Sequence, residues 1–171
     1  TLAELRTTIE RDDAGLALDL DAWTVDPLEG PVVEALNLEA LQPVRTPDEA
    51  SALVRRWRAL GPWLDQHVAN LRRGLADGRV AVRTPIDKAI DVVDGALAAS
   101  TDESPLLAPG RVAHDAWTAA DLDRFRRDLG AAVADDVLPA FARLRGFLAD
   151  EILPRARSDD EPGIARLPGG E

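Results

Sequence analysis

The sequence predicts a mainly all-α protein: an antiparallel array of long, kinked amphipathic helices, with one short extended segment near residues 16–25. Three observations carry this. Ala and Leu dominate while aromatics make up only 4%, a mix that suits helices, because strands favour β-branched and aromatic side chains. Apolar residues recur at steps of three and four over long stretches, the period of a helix with one buried face. Proline follows a threonine at two points where such a stretch begins, the cap-then-proline pattern of a helix start.

In chain order, Leu2, Leu5 and Ile9 have helical spacing in a first segment that ends near Gly15. Leu16, Leu18 and Leu20 then alternate with Ala17, Asp19 and Asp21, a period of two that predicts the extended segment, continuing through Trp23 and Val25. Asp26-Pro27 and Glu29-Gly30-Pro31 mark a turn, and Val32 to Leu41 suits a short helix closed by Pro43. Thr46, Pro47 and Glu49 read as a capping box with proline at the first helical position. From there Leu53, Trp57, Leu60, Leu64, Leu71 and Leu75 form one stripe, with Val68 a place off register. Gly61-Pro62 predicts a kink or short break in one bent rod, and Gly74 and Gly78 its end. Thr84-Pro85 opens a helix with Ile86, Ala89, Ile90, Val93 and Leu97 on one face, followed by a loop over 100–111. A last helix starts near Thr118 and Asp121 and carries Leu122, Phe125, Leu129, Val133, Val137, Ala140, Leu144, Leu148 and Ile152, with a kink at Pro139. Residues 154–171 read as an irregular tail. At 171 residues the length suits one domain able to bury a sizeable core.

The net charge of −11 argues against phosphate backbones and anionic membrane surfaces as partners. It fits solubility, or a basic peptide as substrate or partner. No apolar run reaches the roughly 18 residues a bilayer span needs, and the expected setting is soluble and cytoplasmic. The absence of cysteine removes disulfides, thiolate catalysis and Cys-based zinc sites. Lys88 is the only lysine, which reads as genome composition.

Few residues point to chemistry. His67 lies on a helix beside its apolar stripe and His114 near the start of the last helix; neither has a second histidine one turn away with glutamate between, the arrangement of a helical zinc hydrolase. Both read as helix-edge or cap residues. The neighbouring acids Asp135-Asp136, Asp150-Glu151 and Asp159-Asp160-Glu161 point about 100° apart on a helix, so they read as solvated faces rather than acid/base pairs. Arg55-Arg56, Arg72-Arg73 and Arg126-Arg127 read as surface partners of the acids, and Arg155 and Arg157 as cations suited to a helix C-terminus. Trp57 and Trp63 read as core or inter-helix contacts and Trp117 as a hydrophobic staple. No catalytic, cofactor-binding or metal-ligating residue is expected in this chain.

The order of several motifs resembles the bacterial family known as domain of unknown function 885. They are Asp26-Pro27-Leu28-Glu29-Gly30-Pro31; Leu60-Gly61-Pro62-Trp63-Leu64-Asp65-Gln66 with Asn70-Leu71-Arg72-Arg73-Gly74-Leu75-Ala76-Asp77-Gly78; Ser104-Pro105-Leu106-Leu107; Pro139-Ala140-Phe141; and Phe147-Leu148 through Leu153-Pro154-Arg155-Ala156-Arg157 to Leu167-Pro168-Gly169-Gly170-Glu171. The resemblance implies a longer helical protein similar to zinc peptidases, whose His-Glu-x-x-His helix, and any zinc, would lie in a later segment. The expectation is that residues 1–171 form the N-terminal helical portion, a non-catalytic wall or lid of a substrate cleft, with the C-terminal catalytic half and a peptide substrate as partners. The start on Thr1 and the Leu-Pro-Gly-Gly-Glu end fit that expectation. The alternative is a self-sufficient acidic helical module that binds or scaffolds a partner helix.

Overall fold

Helices account for nearly all regular structure in the computed structural model, which describes residues 2–99 and 104–170. They are α1 (Leu2–Ala17), α2 (Pro31–Leu41), α3 (Pro47–Ala76), α4 (Arg83–Ala98), α5 (Ala108–Arg111), α6 (Ala119–Ala132) and α7 (Leu138–Phe147), with 3-10 turns at Leu20–Ala22, Pro105–Leu107, Leu153–Arg155 and Ile164–Arg166. Among the described residues there is no strand, only an isolated bridge between Val82 and Arg157. The extended segment expected near residues 16–25 is therefore replaced by the end of α1 and a 3-10 turn. The period of two was coincidental: Leu16 and Leu18 stay exposed, and Asp19 takes a left-handed conformation (φ 49°) that turns the chain between two helical pieces.

The start of α3 is the predicted one. Thr46 accepts a bond from the Glu49 N–H while the Glu49 carboxylate accepts from the Thr46 and Arg45 N–H groups. The helix runs unbroken through Pro62, whose residue is exposed on its surface. Gly78 (φ 75°) ends it: its N–H bonds the Leu75 carbonyl and the Arg79 N–H the Gly74 carbonyl, a Schellman cap. Gly74, expected to help end the rod, instead permits a close approach. A Cβ there would lie 1.8 Å from the Ala22 carbonyl oxygen. At the other end the Trp57 indole, fully buried, donates to the Leu106 carbonyl and ties the Pro105–Leu107 turn to α3.

Thr84 does not cap α4. The helix begins at Arg83, and Asp159 of the tail accepts from the Thr84 N–H and from its hydroxyl, both at 2.8 Å. The expected irregular tail is thus tied down. Arg157 pairs its backbone with Ala81 and Arg83, donates from Nε to the Val80 carbonyl and from Nη1 to the Glu161 carbonyl, and Leu167 is buried. Arg157 closes this junction instead of serving a helix dipole.

The last rod runs from Thr118, whose side chain accepts from the Asp121 N–H, through α6 and α7 to Arg155. Two π-helical turns interrupt it, at Val133–Val137 and Leu148–Ile152. Their cause is readable in the apolar spacing. From Phe125 to Val137, and again from Ala140 to Ile152, the stripe advances by three steps of four. An uninterrupted α-helix would rotate it by about 120° over each interval, and the extra residue of a π turn restores about 100°. Each turn ends with a five-residue bond, Leu138 N–H to the Val133 carbonyl and Leu153 N–H to the Leu148 carbonyl, directly before Pro139 and Pro154. The wide turn spares the proline ring its clash with the carbonyl behind it.

With the stripe held in phase, the rod buries a broad face including Val137, Ala140, Phe141, Leu144, Phe147, Leu148 and Ile152. It packs along α3 on one side and against α4 on the other, while α4 packs on α7 rather than on α3. Consecutive rods are antiparallel, so α3 and the last rod run parallel. Arg143 forms a two-pronged bond with Asp65 of α3, and Arg145, two residues on, forms one with Asp94 of α4.

Two outcomes follow for stability. Gly74→Ala should lower the unfolding free energy by roughly 1–3 kcal/mol or more through overpacking against Ala22, whereas Gly95→Ala, in open space on α4, should raise it by about 0.5–1 kcal/mol; urea melts of the two variants check both signs. Asp159→Ala should lower the melting temperature and remove an acid-side loss of stability. The Asp159 carboxyl is held below its usual range by the Thr84 N–H and then the Thr84 hydroxyl, so its contribution is present above the ordinary carboxylate pKa and disappears as pH falls through the lowered one. Thermal melts across the acid range check this.

Candidate functional site

Because α3 and α4 both rest on α7 without closing on each other, a gap remains between them. Its floor is apolar: Leu71 of α3, Val93 of α4, Leu144 of α7 and Leu148 of the second π turn are all buried there. Its roof is the loop and helix start over residues 24–34. The space enclosed is about 370 Å³, within the usual size range of small-molecule pockets.

The roof is fixed by short-range chemistry. The Asp26 carboxylate accepts from the Leu28 N–H at 2.7 Å and the Glu29 N–H at 3.1 Å, folding the Asp-Pro-Leu-Glu segment on itself. Gly30 is buried so closely under that turn that a Cβ would meet the Asp26 carbonyl oxygen at 2.1 Å. Pro31 opens α2 directly beside the cavity. Below, the Ala22–Gly74 contact sets the height of the 3-10 turn that carries Asp21.

Four carboxylates, those of Asp21, Asp26, Glu29 and Glu34, line the cavity, and among the described residues no Lys or Arg does. All four are exposed, so the rim is a solvated negative collar over an apolar floor. The α3 wall adds Trp63, 40% exposed although it is a large apolar ring, and the Gln66–Asn70 amide pair, bonded at 3.0 Å.

His67 stands on the same wall. It lies on α3 beside the apolar stripe, as the sequence reading placed it, and is half-buried and lines the cavity, which that reading did not foresee. Burial lowers its pKa from the ordinary value, and the Asp21 carboxylate opposes that shift. At neutral pH the ring is therefore uncharged. Among the described residues no hydrogen bond reaches its nitrogens, and no three His, Cys, Asp or Glu side chains converge as metal ligands.

The second histidine is elsewhere. His114 stacks on Trp117 with ring centres 4.0 Å apart, and both rings meet Phe125 edge-on. Trp117 directly precedes the α6 cap, but its ring packs on Phe125, further along α6 than the Leu122 position a staple would use, and it donates to the Arg45 carbonyl, joining the starts of α6 and α3. The acids of Asp135-Asp136 and Asp150-Glu151 fall in the two π turns; Glu151 is bonded to Arg72 and Asp136 lies near Arg58. Trp63, expected as a core or inter-helix contact, belongs to the cavity wall. Sequence reasoning missed the cavity because its lining comes from separated segments. Residues from stretches quoted for the family resemblance nevertheless line it together, Asp26, Pro27, Glu29, Gly30 and Pro31 from the first and Trp63, Gln66 and Asn70 from the second.

No helix of the described residues is long and apolar enough to cross a membrane. A family model described as "Bacterial protein of unknown function (DUF885)" matches residues 1–171. No curated protein and no solved structure matches the chain.

The His67 environment predicts a titration. Its imidazole should protonate below the ordinary pH of about 6.5, and Asp21→Asn should lower that midpoint further by removing the opposing charge. Because the folded pKa is depressed, His67 favours folding fully above about 6.5 and progressively less as pH falls toward the lowered value. Imidazole proton shifts followed by NMR across pH 4–8 check the direction; an unchanged midpoint in Asp21→Asn contradicts it.

Proposed function

Because the chain belongs to the bacterial family of unknown function DUF885, we propose that it is a substrate-recognition wall within a longer peptidase-like hydrolase, non-catalytic itself. In this reading its helices line one side of a peptide cleft, while the reacting groups, and any zinc, reside in another part of the same protein. The observation that carries it is the gap over α7: a preformed cavity with an apolar floor, an exposed indole and a negative collar. That combination holds and orients a ligand. Among the described residues that line it there is no Ser, Cys or Lys, the Thr24 hydroxyl is engaged by the Leu20 carbonyl, and the one imidazole, His67, has no hydrogen-bonded partner to act with.

The test is kinetic. If the longer protein cleaves peptides, Trp63→Ala should raise KM severalfold and leave kcat nearly unchanged, since a wall that binds ground and transition states alike affects binding alone. A fall in kcat at constant KM, or activity that survives deletion of residues 2–170, would refute the wall role.

A second reading, a module that docks a partner helix, is favoured by α1. Its Leu2, Leu5 and Ile9 lie on one helical face and are 52–87% exposed. A sharp thermal transition of residues 1–171 that does not shift with concentration supports it; self-association or a broad transition supports the wall.

A further inference from the structure

We infer that the cavity between α3, α4 and α7 is a binding site for an organic cation carried on an apolar stem: an alkylguanidinium or alkylammonium group, as a basic side chain of a peptide presents it. The inference rests on the proposed wall reading only for the ligand's source; the recognition chemistry stands on the cavity alone.

Size and floor come first. About 370 Å³ over buried Leu71, Val93, Leu144 and Leu148 admits a chain of several methylenes and rewards it by removing apolar surface from water. A purely inorganic ion would leave that floor unused.

Charge decides the head group. Asp21, Glu29 and Glu34 come from three different segments, the 3-10 turn, the roof loop and α2, yet line one cavity, and among the described residues no Lys or Arg lines it. Two positive features stand nearby, and neither outweighs them. The α2 N-terminus contributes about half a unit charge, and it already carries the Glu34 carboxylate in its first turn. His67 is neutral, since burial disfavours its protonated form. Asp26 is committed to the Leu28 and Glu29 N–H groups, which leaves Asp21, Glu29 and Glu34 as the side chains available to a ligand. An anionic ligand is excluded by the same arithmetic.

Trp63 completes the geometry. Its exposed indole sits on the α3 side of the opening, where a guanidinium or ammonium gains from the ring face while it remains within reach of the collar. Carboxylates and an indole at the mouth, with an apolar floor beneath, match a ligand that is charged at one end and apolar along its stem.

The experiment titrates butylguanidinium into residues 1–171 and follows amide, methyl and indole NMR signals, with butylurea as the uncharged isostere and pentanoate as the anion. Saturable shifts confined to the Trp63 indole and to signals of Val93, Leu144 and the 24–34 segment are expected for butylguanidinium, with none for pentanoate and at least severalfold weaker binding of butylurea. Glu29→Gln combined with Glu34→Gln should weaken butylguanidinium roughly 2- to 30-fold, the range for losing two exposed ion pairs, and Asp123→Asn, remote from the cavity, should not. Equal binding of butylurea, shifts spread evenly over the acidic surface, or the same localised shifts with CaCl2 alone would each overturn the inference. Failure here is separable from failure of the wall reading. If cavity variants raise KM equally for basic and neutral peptides, the wall stands and the cation preference falls. If butylguanidinium binds but no peptide is cleaved by the longer protein, the reverse holds.

Discussion

The whole arrangement depends on one apolar face staying in phase along the rod from Ala119 to Arg155. That face must meet α3 along its length and α4 near its end, and a regular helix carrying this sequence would turn away from both. Two π turns supply the correction where the stripe steps by four three times running. Arg143 and Arg145 then fix the two neighbours on opposite flanks, one through Asp65 and the other through Asp94. Each exposed pair adds little energy, but together they set which helix lies on which side. Two helices held on opposite flanks of a third cannot close on each other, so a gap is a consequence of the packing.

What the gap becomes is decided by its roof. Glycine is required at Gly74 and Gly30 because backbone carbonyls, those of Ala22 and Asp26, occupy the space a side chain would need. These contacts draw the 3-10 turn and the roof loop down over the floor. The same segments carry most of the carboxylates of the collar, so the steric device that closes the cavity also charges its opening. In the tail, Arg157 and Asp159 hold the start of α4 against the chain that follows the rod. That anchor keeps α4 from drifting across the gap.

Much of this was legible in sequence where the cause is local. The capping box at Thr46, the stripe of α3, the Thr118 cap and the all-α class follow from neighbouring residues and reappear in the structure. The phase correction was legible too, in the runs of four-residue steps ahead of Leu138-Pro139 and Leu153-Pro154, though a kink at Pro139 was the simpler expectation. Misreadings came from contacts distant in sequence. Thr84 looked like a cap because nothing local reveals that Asp159 performs that task. The tail carries only short turns, but nothing local reveals that it is tied down, since Arg157 finds its acceptors on Val80 and Glu161. The cavity was invisible for the same reason: Asp21, Glu34, Trp63 and Val93 meet only once three helices and a loop are placed. His67 illustrates the limit, since its helical position could be read but not the space it faces.

The measurement that bears most directly on this account is the distance between α3 and α4. The chain contains no cysteine, so spin labels at Ala69→Cys and Asp91→Cys, both exposed positions flanking the gap, report it without interference by pulsed electron paramagnetic resonance. The account predicts a single narrow distance that persists in Trp63→Ala, because the rod beneath holds the helices apart. A broad distribution, or a collapse to shorter distances when Trp63 is removed, would show that the gap is not built into the packing, and the cavity could not then be the preformed site described.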